Sequence, residues 1–521
     1  MRRWELSLAL DPELEQPLFL QLASGIADDI RNGRLKPGDA LPGSRELAQI
    51  LGVNRNTIVA GYGELAAEGL VDTRIGGGTF VVCNAAPSAV VAIPDVIDRP
   101  SYALAPALPA PLPRRIAAPG TLMLATSTPD VRLFPANAMA RAFRRALGRR
   151  GHSLPGYADP CGHERLRVQL ATMLARSRGL GVAPDNLMIT RSIEQAIDLV
   201  ARTLIAPGDV VAVEAYGYPP AWNVLRLAGA RLVPVALDAD GLDVGALETL
   251  LGQQRIRAVF LTPHHQFPTT SVMSPRRRAR LAELALAHRF AIIEDDYDHE
   301  FHYAGKPVLP IAAGPGRANC VYIGSLANLL APGISSGFVV APPPVFERLY
   351  RLRAASDARS DTAMEFAIAE LFEDGELLRH TRRVRRLYAQ RRDVLAAALK
   401  HHLGSALEFR VPEGGMALWA KVDDAIDVVG WENAGEREGV IFQNARSCHF
   451  AQREQSCMRL GFSYLDETEL SEAVRRMARA LTRSRTSQLA ATARAMPSAP
   501  IAALRTPAAA PAHAARRAQR S

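Results

Sequence analysis

The stretch Ser44-Arg45-Glu46-Leu47-Ala48-Gln49-Ile50-Leu51-Gly52-Val53-Asn54-Arg55-Asn56-Thr57-Ile58-Val59 sets two short helical patterns around one glycine. Ser44 is read as the N-cap of the first helix, Gly52 as the tight turn, and Asn54 as the opening of the second helix. Two helices joined in this way make a helix-turn-helix. Its second helix aims Arg55, Asn56 and Thr57 from its N-terminal end at base edges. Upstream, residues 17–30 carry apolar positions at helical spacing, and downstream Arg74 to Val82 reads as a glycine-tipped hairpin, a wing for the DNA backbone or minor groove. The competing reading of this zone is a three-helix bundle used for protein contact.

Working outward, the 521 residues, 48% of them apolar and 6% aromatic, suffice for two or three packed domains. No apolar run approaches the roughly 20 residues that cross a bilayer, and the start, Met1-Arg2-Arg3-Trp4-Glu5, soon turns acidic, so a soluble, cytoplasmic protein without a membrane partner is expected. The five cysteines, Cys83, Cys161, Cys320, Cys448 and Cys457, are scattered and read as reduced. No Cys-x-x-Cys pair and no histidine cluster at metal spacing occurs along the chain, so no metal is expected.

The net charge of +9 is uneven. Seven arginines and no acids lie between 483 and 521, whereas residues 1–82 hold eight Lys/Arg against eleven Asp/Glu. DNA affinity therefore depends on where Arg45, Arg55 and Arg74 sit, more than on bulk charge. The Ala/Arg/Pro-rich tail reads as a disordered appendage.

Four zones follow: a reader at 1–82, an Ala/Pro-rich linker at 83–118, a large domain at 119–482 and the basic tail at 483–521. In the large domain, apolar runs at 210–213, 258–261, 291–293, 321–323 and 337–341 alternate with helical patterns. Such alternation predicts a buried, largely parallel sheet covered by helices.

Over nearly all its length the reader resembles the winged helix-turn-helix of GntR-type regulators. The ordered set P-L-F-x-Q, G-x-L-x-P-G-x-x-L-P, S-R-E-L-A, L-G-V-x-R-x-T-I and G-x-G-T-F-V carries the resemblance. The large domain, over about 119–480, resembles class I aminotransferases. The supporting segments are Gly156-Tyr157-Ala158-Asp159-Pro160, Thr262-Pro263-His264-His265-Gln266-Phe267-Pro268-Thr269, Ile293-Glu294-Asp295-Asp296-Tyr297, Ser325-Leu326-Ala327-Asn328 and Met458-Arg459-Leu460. Joined, the two are similar to MocR-like regulators, including GabR-type and PdxR-type proteins. The resemblance implies the α/β fold of pyridoxal-phosphate-dependent transferases, fold type I, a homodimer, and a double-stranded DNA operator with repeated half-sites.

The same resemblance assigns pocket roles. Asp295 would face the pyridine nitrogen of pyridoxal phosphate, Tyr218 would stack on its ring, and Tyr297 would reach its phenolic oxygen. Ser325 would donate to the phosphate, and Arg459 would fork onto a ligand carboxylate.

The departures gather on that cofactor. Asn328 stands where the family has its lysine, and an amide nitrogen cannot form a Schiff base. Ser335 stands where a phosphate-binding arginine is expected. Glu194 adds negative charge where family members offer backbone N–H groups to the phosphate, and Thr270 replaces a glycine. The chain has four lysines, Lys36, Lys306, Lys400 and Lys421, none of them in a cofactor-lysine motif. Covalent attachment is therefore not expected, and binding itself is in question.

Two readings remain. One is a DNA-binding regulator whose large domain dimerises and senses a small molecule, and the other is an aminotransferase-type enzyme or a regulator that responds to pyridoxal phosphate. An asparagine at 328 leaves no amine to shuttle the transamination proton, which favours the first.

Overall fold

The structure, a computed structural model, describes residues 8, 10–74, 77–82, 118–150, 159–334, 336–453 and 455–495. The linker up to 117, the wing tip at Ile75-Gly76, Gly156-Tyr157, Cys83, Ser335 and the tail beyond 495 lie outside them. Two separately packed units, 1–107 and 108–521, make up the chain.

In the first unit, helices Leu18–Arg31, Ser44–Leu51 and Arg55–Ala67 precede an antiparallel hairpin of Val71–Arg74 and Gly78–Val81. Leu22, Ile26, Leu47, Ile58, Tyr62 and Leu65 form its core, with the Tyr62 hydroxyl donating to the Pro42 carbonyl at 2.8 Å. A side chain at Gly61 would meet Leu22 Cδ2 at 2.8 Å and the Phe19 carbonyl at 3.0 Å, so glycine lets the first and third helices close up. Gly52, at φ 66°, ends the second helix in the left-handed conformation the sequence asks of it.

One local expectation is corrected. Gly43, not Ser44, is the N-cap, and Ser44 is the first helical residue. The chain reaches helical geometry one residue too early for a serine cap, and the Ser44 hydroxyl instead accepts from Arg55 Nε at 3.3 Å. Asn54 does cap the next helix, its side chain accepting from the Asn56 amide.

The second unit is built on a seven-stranded sheet. Its spatial order is Leu187–Thr190, Gly337–Val340, Cys320–Ser325, Ala291–Asp296, Ala258–Leu261, Val210–Glu214 and Arg231–Val235. Only Gly337–Val340 runs against the rest. Val, Ile and Leu fill both faces, one under helices such as Ile193–Leu204 and the other under Glu164–Arg178 and Pro275–His288. Two strands, Leu187–Thr190 and Arg231–Val235, were not foreseen from the pattern. The second is half exposed and carries Pro234, as edge strands do.

A smaller antiparallel sheet of Leu407–Phe409, Ala417–Val422, Cys457–Gly461 and Gln443–Asn444 follows. The closing helix, Glu467–Ala495, continues past 482, where a disordered tail was expected to begin. Leu481 and Ser484 are buried and Arg483 pairs with Glu438, so packing carries the helix beyond the composition boundary. The four described cysteines are unpaired. Among the described residues no helix is long and apolar enough to cross a membrane.

Candidate functional site

In an open, mostly parallel sheet, the strand ends leave a crevice at their carboxyl side. Here Asp295 and Ser325 stand at the ends of neighbouring parallel strands, and a cavity of about 450 Å³ opens beside them. Thr126 to Thr128, the start of helix Ile193–Leu204, Tyr218, Phe267, Tyr297 and Asn328 complete its walls. The structure thus brings Tyr218, Asp295, Tyr297, Ser325 and Asn328 together at one cavity.

Asp295 is buried, and its Oδ1 has no hydrogen-bond partner in the protein. Burial, followed by the neighbouring charge of Asp296, pushes its carboxyl well above the usual range. Tyr218 stands at the N-cap of helix Pro219–Leu227, meets Phe267 edge-on at 5.5 Å, and donates its hydroxyl to Glu194 Oε1 at 2.9 Å. Burial and Glu194 both raise the Tyr218 phenol. The Tyr297 hydroxyl is engaged by the His265 carbonyl at 2.9 Å.

Asn328 Nδ2 donates to the Tyr297 carbonyl at 3.0 Å, so its amide is held against the cavity wall. Ser325 Oγ accepts from the Ala327 amide at 3.1 Å. Arg459 is close by but does not line the cavity. Its guanidinium donates to the Pro268 carbonyl at 2.9 Å and to Ser127 Oγ at 3.2 Å, and lies over Phe267 at 4.8 Å. Through Ser127 and Phe267 it braces two walls.

These residues can be set against pyridoxal phosphate group by group. A buried carboxyl with an unpartnered oxygen suits a protonated ring nitrogen. The other end of the molecule fares worse. The described lining residues include the carboxyls of Glu194 and Asp295 and no lysine or arginine. Glu194 sits in the first turn of helix Ile193–Leu204, at the helix end where an anion would otherwise be welcome. Lys306, Lys400 and Lys421 are exposed and away from the cavity. The described lining thus offers a carboxyl to a ring nitrogen, but neither a cation to a phosphate nor an amine to an imine.

In the reader, Arg45, Arg55, Asn56 and Arg74 are exposed and Thr57 is half-buried. Arg55, Asn56 and Thr57 form the first turn of helix Arg55–Ala67, where a recognition helix meets bases. Arg74 ends the first wing strand, lies over Phe80 at 5.3 Å and approaches Asp72 at 3.4 Å.

Reading along the chain missed one cluster. His264, His265 and His302 come together from two loops. The only signals for it were the His264-His265 pair and the spacing of His299 and His302.

Fold and site together define a class: a winged helix-turn-helix DNA reader joined to an aminotransferase-type domain. Comparison with known proteins agrees. Residues 18–81 match the bacterial regulatory proteins of the gntR family, and residues 122–477 match aminotransferase class I and II. A probable rhizopine catabolism regulatory protein, MocR, of Rhizobium meliloti is 32% identical over 470 residues, covering 90% of this chain and 94% of that one. The HTH-type pyridoxine biosynthesis transcriptional regulator PdxR of Corynebacterium glutamicum is 31% identical over 396 residues, 76% of this chain and 82% of its own. Among solved structures, the alpha-aminoadipate aminotransferase LysN of Thermus thermophilus, complexed with N-(5'-phosphopyridoxyl)-L-leucine, superposes with a TM-score of 0.66 at 27% identity over 71% of this chain and 94% of that one. The chain belongs to the MocR-type transcriptional regulators, with a GntR-family reader and a class I and II aminotransferase domain.

Proposed function

We propose that this regulator senses a small molecule without a covalent cofactor, through the cavity beside Asp295. The observation that carries the proposal is Asn328 on a cavity wall whose described residues offer no cation, with Glu194 at the helix end where a phosphate would lie. A carboxyl at the helix end and an aromatic wall favour an effector that is neutral or carries an amine, and disfavour a phosphorylated one. The aminotransferase-type domains form a homodimer, and the two readers grip paired half-sites, so the operator contains a repeat. A footprint of one half-site held by a monomer would overturn that arrangement.

The opposing reading, an aminotransferase-type enzyme or a regulator that responds to pyridoxal phosphate, draws on the unpartnered Asp295 oxygen. Titrating purified protein with pyridoxal phosphate, then reducing with borohydride and mapping lysine peptides, separates the two. No reducible imine and no saturable binding are expected. An imine on Lys306, Lys400 or Lys421 would restore the cofactor reading. On DNA, Arg55→Ala should weaken specific binding by about ten- to a hundredfold, and Arg505→Ala should leave it unchanged. Equal effects would mean that the basic tail dominates.

A further inference from the structure

The loop after strand Ala258–Leu261 and the segment after strand Ala291–Asp296 place four imidazoles side by side. His264 stacks on His299 with ring centroids 4.4 Å apart, lies 4.3 Å from His265, and is 6.3 Å from His302. One nitrogen from each of His264, His265 and His302 lies within 4.8 Å of the other two. His264 and His265 are 3% and 2% exposed, and His302 is half-buried.

As simple packing, this arrangement is costly. Both ring nitrogens of His264 and Nε2 of His265 are sealed from solvent with no hydrogen-bond partner in the protein. A buried polar atom left in that condition bears its desolvation cost with nothing to offset it.

His265 Nδ1 lies 2.7 Å from Asp298 Oδ1. An ionised carboxylate there fixes the proton on Nδ1 and leaves Nε2 as the electron-pair donor, the arrangement that orients histidine ligands in metal sites. His299 differs, because its Nδ1 is engaged by Asp296 at 2.9 Å and its Nε2 faces the Ser177 carbonyl at 3.4 Å. It supports the stack and does not ligate.

We propose that His264, His265 and His302 form a binding site for one zinc-class divalent ion, with Asp298 orienting His265 and the fourth position open to water. Neutral imidazoles without a carboxylate in the trio select Zn2+, Co2+, Ni2+ or Cu2+ over Mg2+ or Ca2+. Ligand nitrogens at about 2.0–2.1 Å from a tetrahedral ion stand about 3.4 Å apart, so the trio must contract modestly on binding. His302 is the least buried of the three, and its ring nitrogens are likewise without a hydrogen-bond partner. It also lines a surface groove of about 780 Å³, which gives the ion a way in. Phe267 and Tyr297, which line the effector cavity, belong to the same two loops, and the Tyr297 hydroxyl is bonded to the His265 carbonyl. An ion held here would tie those walls together.

The test uses the full chain, stripped with chelator and titrated by calorimetry with Zn2+ alone. One saturable ion per chain is expected. His302→Gln should weaken binding at least about tenfold, and Asp298→Asn, which touches no metal, by about ten- to a hundredfold. The double variant His401→Gln/His402→Gln, at an adjacent histidine pair on helix Glu376–Leu403, should bind as the parent does. Should His302→Gln fail to fold, the Co2+ spectrum of the parent chain decides: nitrogen-ligand d–d bands without thiolate charge-transfer absorption support the site. Absent stoichiometric binding, a thiolate signature, or affinity lost in the His401/His402 variant and kept in His302→Gln would overturn it.

Discussion

Asp295 and Asp296 are neighbours on one strand, and the pleat sends them to opposite faces of the sheet. On the cavity face, Asp295 is buried with an oxygen that nothing in the protein satisfies, and its carboxyl is pushed well up. Behind the sheet, burial pushes Asp296 the same way, but His299 and Arg178 outweigh it and hold the carboxyl well below the usual range. Its Oδ2 accepts from the Tyr322 hydroxyl at 2.5 Å and faces His299 Nδ1 at 2.9 Å, with Arg178 at 3.9 Å. On that face the charge is compensated through Oδ2, although Oδ1 of Asp296, like that of Asp295, has no hydrogen-bond partner. The cavity face leaves the Asp295 carboxyl without a cation among the described lining residues; elsewhere, Glu214, in one row with Leu261 and Glu294, is buried behind Thr262 and pushed up to about 7, and Thr270 is a β-branched residue at φ 62°. A buried carboxyl left without a counter-charge on one face, beside one that is compensated on the other, is what a ligand site leaves behind.

The comparison can be broken experimentally. The largest effect should come from Asp296→Asn. It removes one partner of the fully buried Arg178 and should cost about 3–5 kcal/mol in urea denaturation. A loss below about 1 kcal/mol would put both faces on the same footing.

Next is the pH dependence set by Glu214. Its folded value, about 7, lies above the ordinary 4.5, so the folded chain holds the extra proton between those limits. That contribution to stability is complete below 4.5 and is lost as pH rises through about 7, a swing of about 3 kcal/mol. Glu214→Gln should remove it, seen as a flatter plot of unfolding free energy against pH between 4.5 and 8.

Smaller still, Thr270→Gly should raise stability by about 0.5–1 kcal/mol, because glycine adopts the positive φ without a Cβ penalty. Last, Asp295→Asn should change stability by less than about 0.5 kcal/mol, since a protonated carboxyl and an amide are close isosteres in a site that satisfies neither. A large loss there would show that Asp295 is held by the protein and not kept for a ligand.

Much of this was legible beforehand. Strand Ala258–Leu261 has the bounds its apolar run predicted, and the helix-turn-helix follows from Gly52 and Asn54. Strand Ala291–Asp296 runs three residues beyond its apolar part, because Glu294, Asp295 and Asp296 are buried acids and hydropathy cannot announce those. Glu194 was flagged as an unwelcome charge, but its bond to Tyr218 joins residues far apart in the chain and needed the fold. The histidine trio was invisible for the same reason. Its members sit on two loops that only the parallel sheet makes adjacent.

The contact between Ser44 and Arg55 also matters on a different scale. A long exposed side chain normally surrenders its rotational freedom when it docks, at about 0.5–1.5 kcal/mol. Here part of that loss is taken when the reader folds, since the Arg55 guanidinium is already hydrogen-bonded across the turn to the preceding helix. The reader therefore meets its operator as a pre-set stamp, and a change at Ser44, which need not touch a base, would show up in binding through conformational entropy.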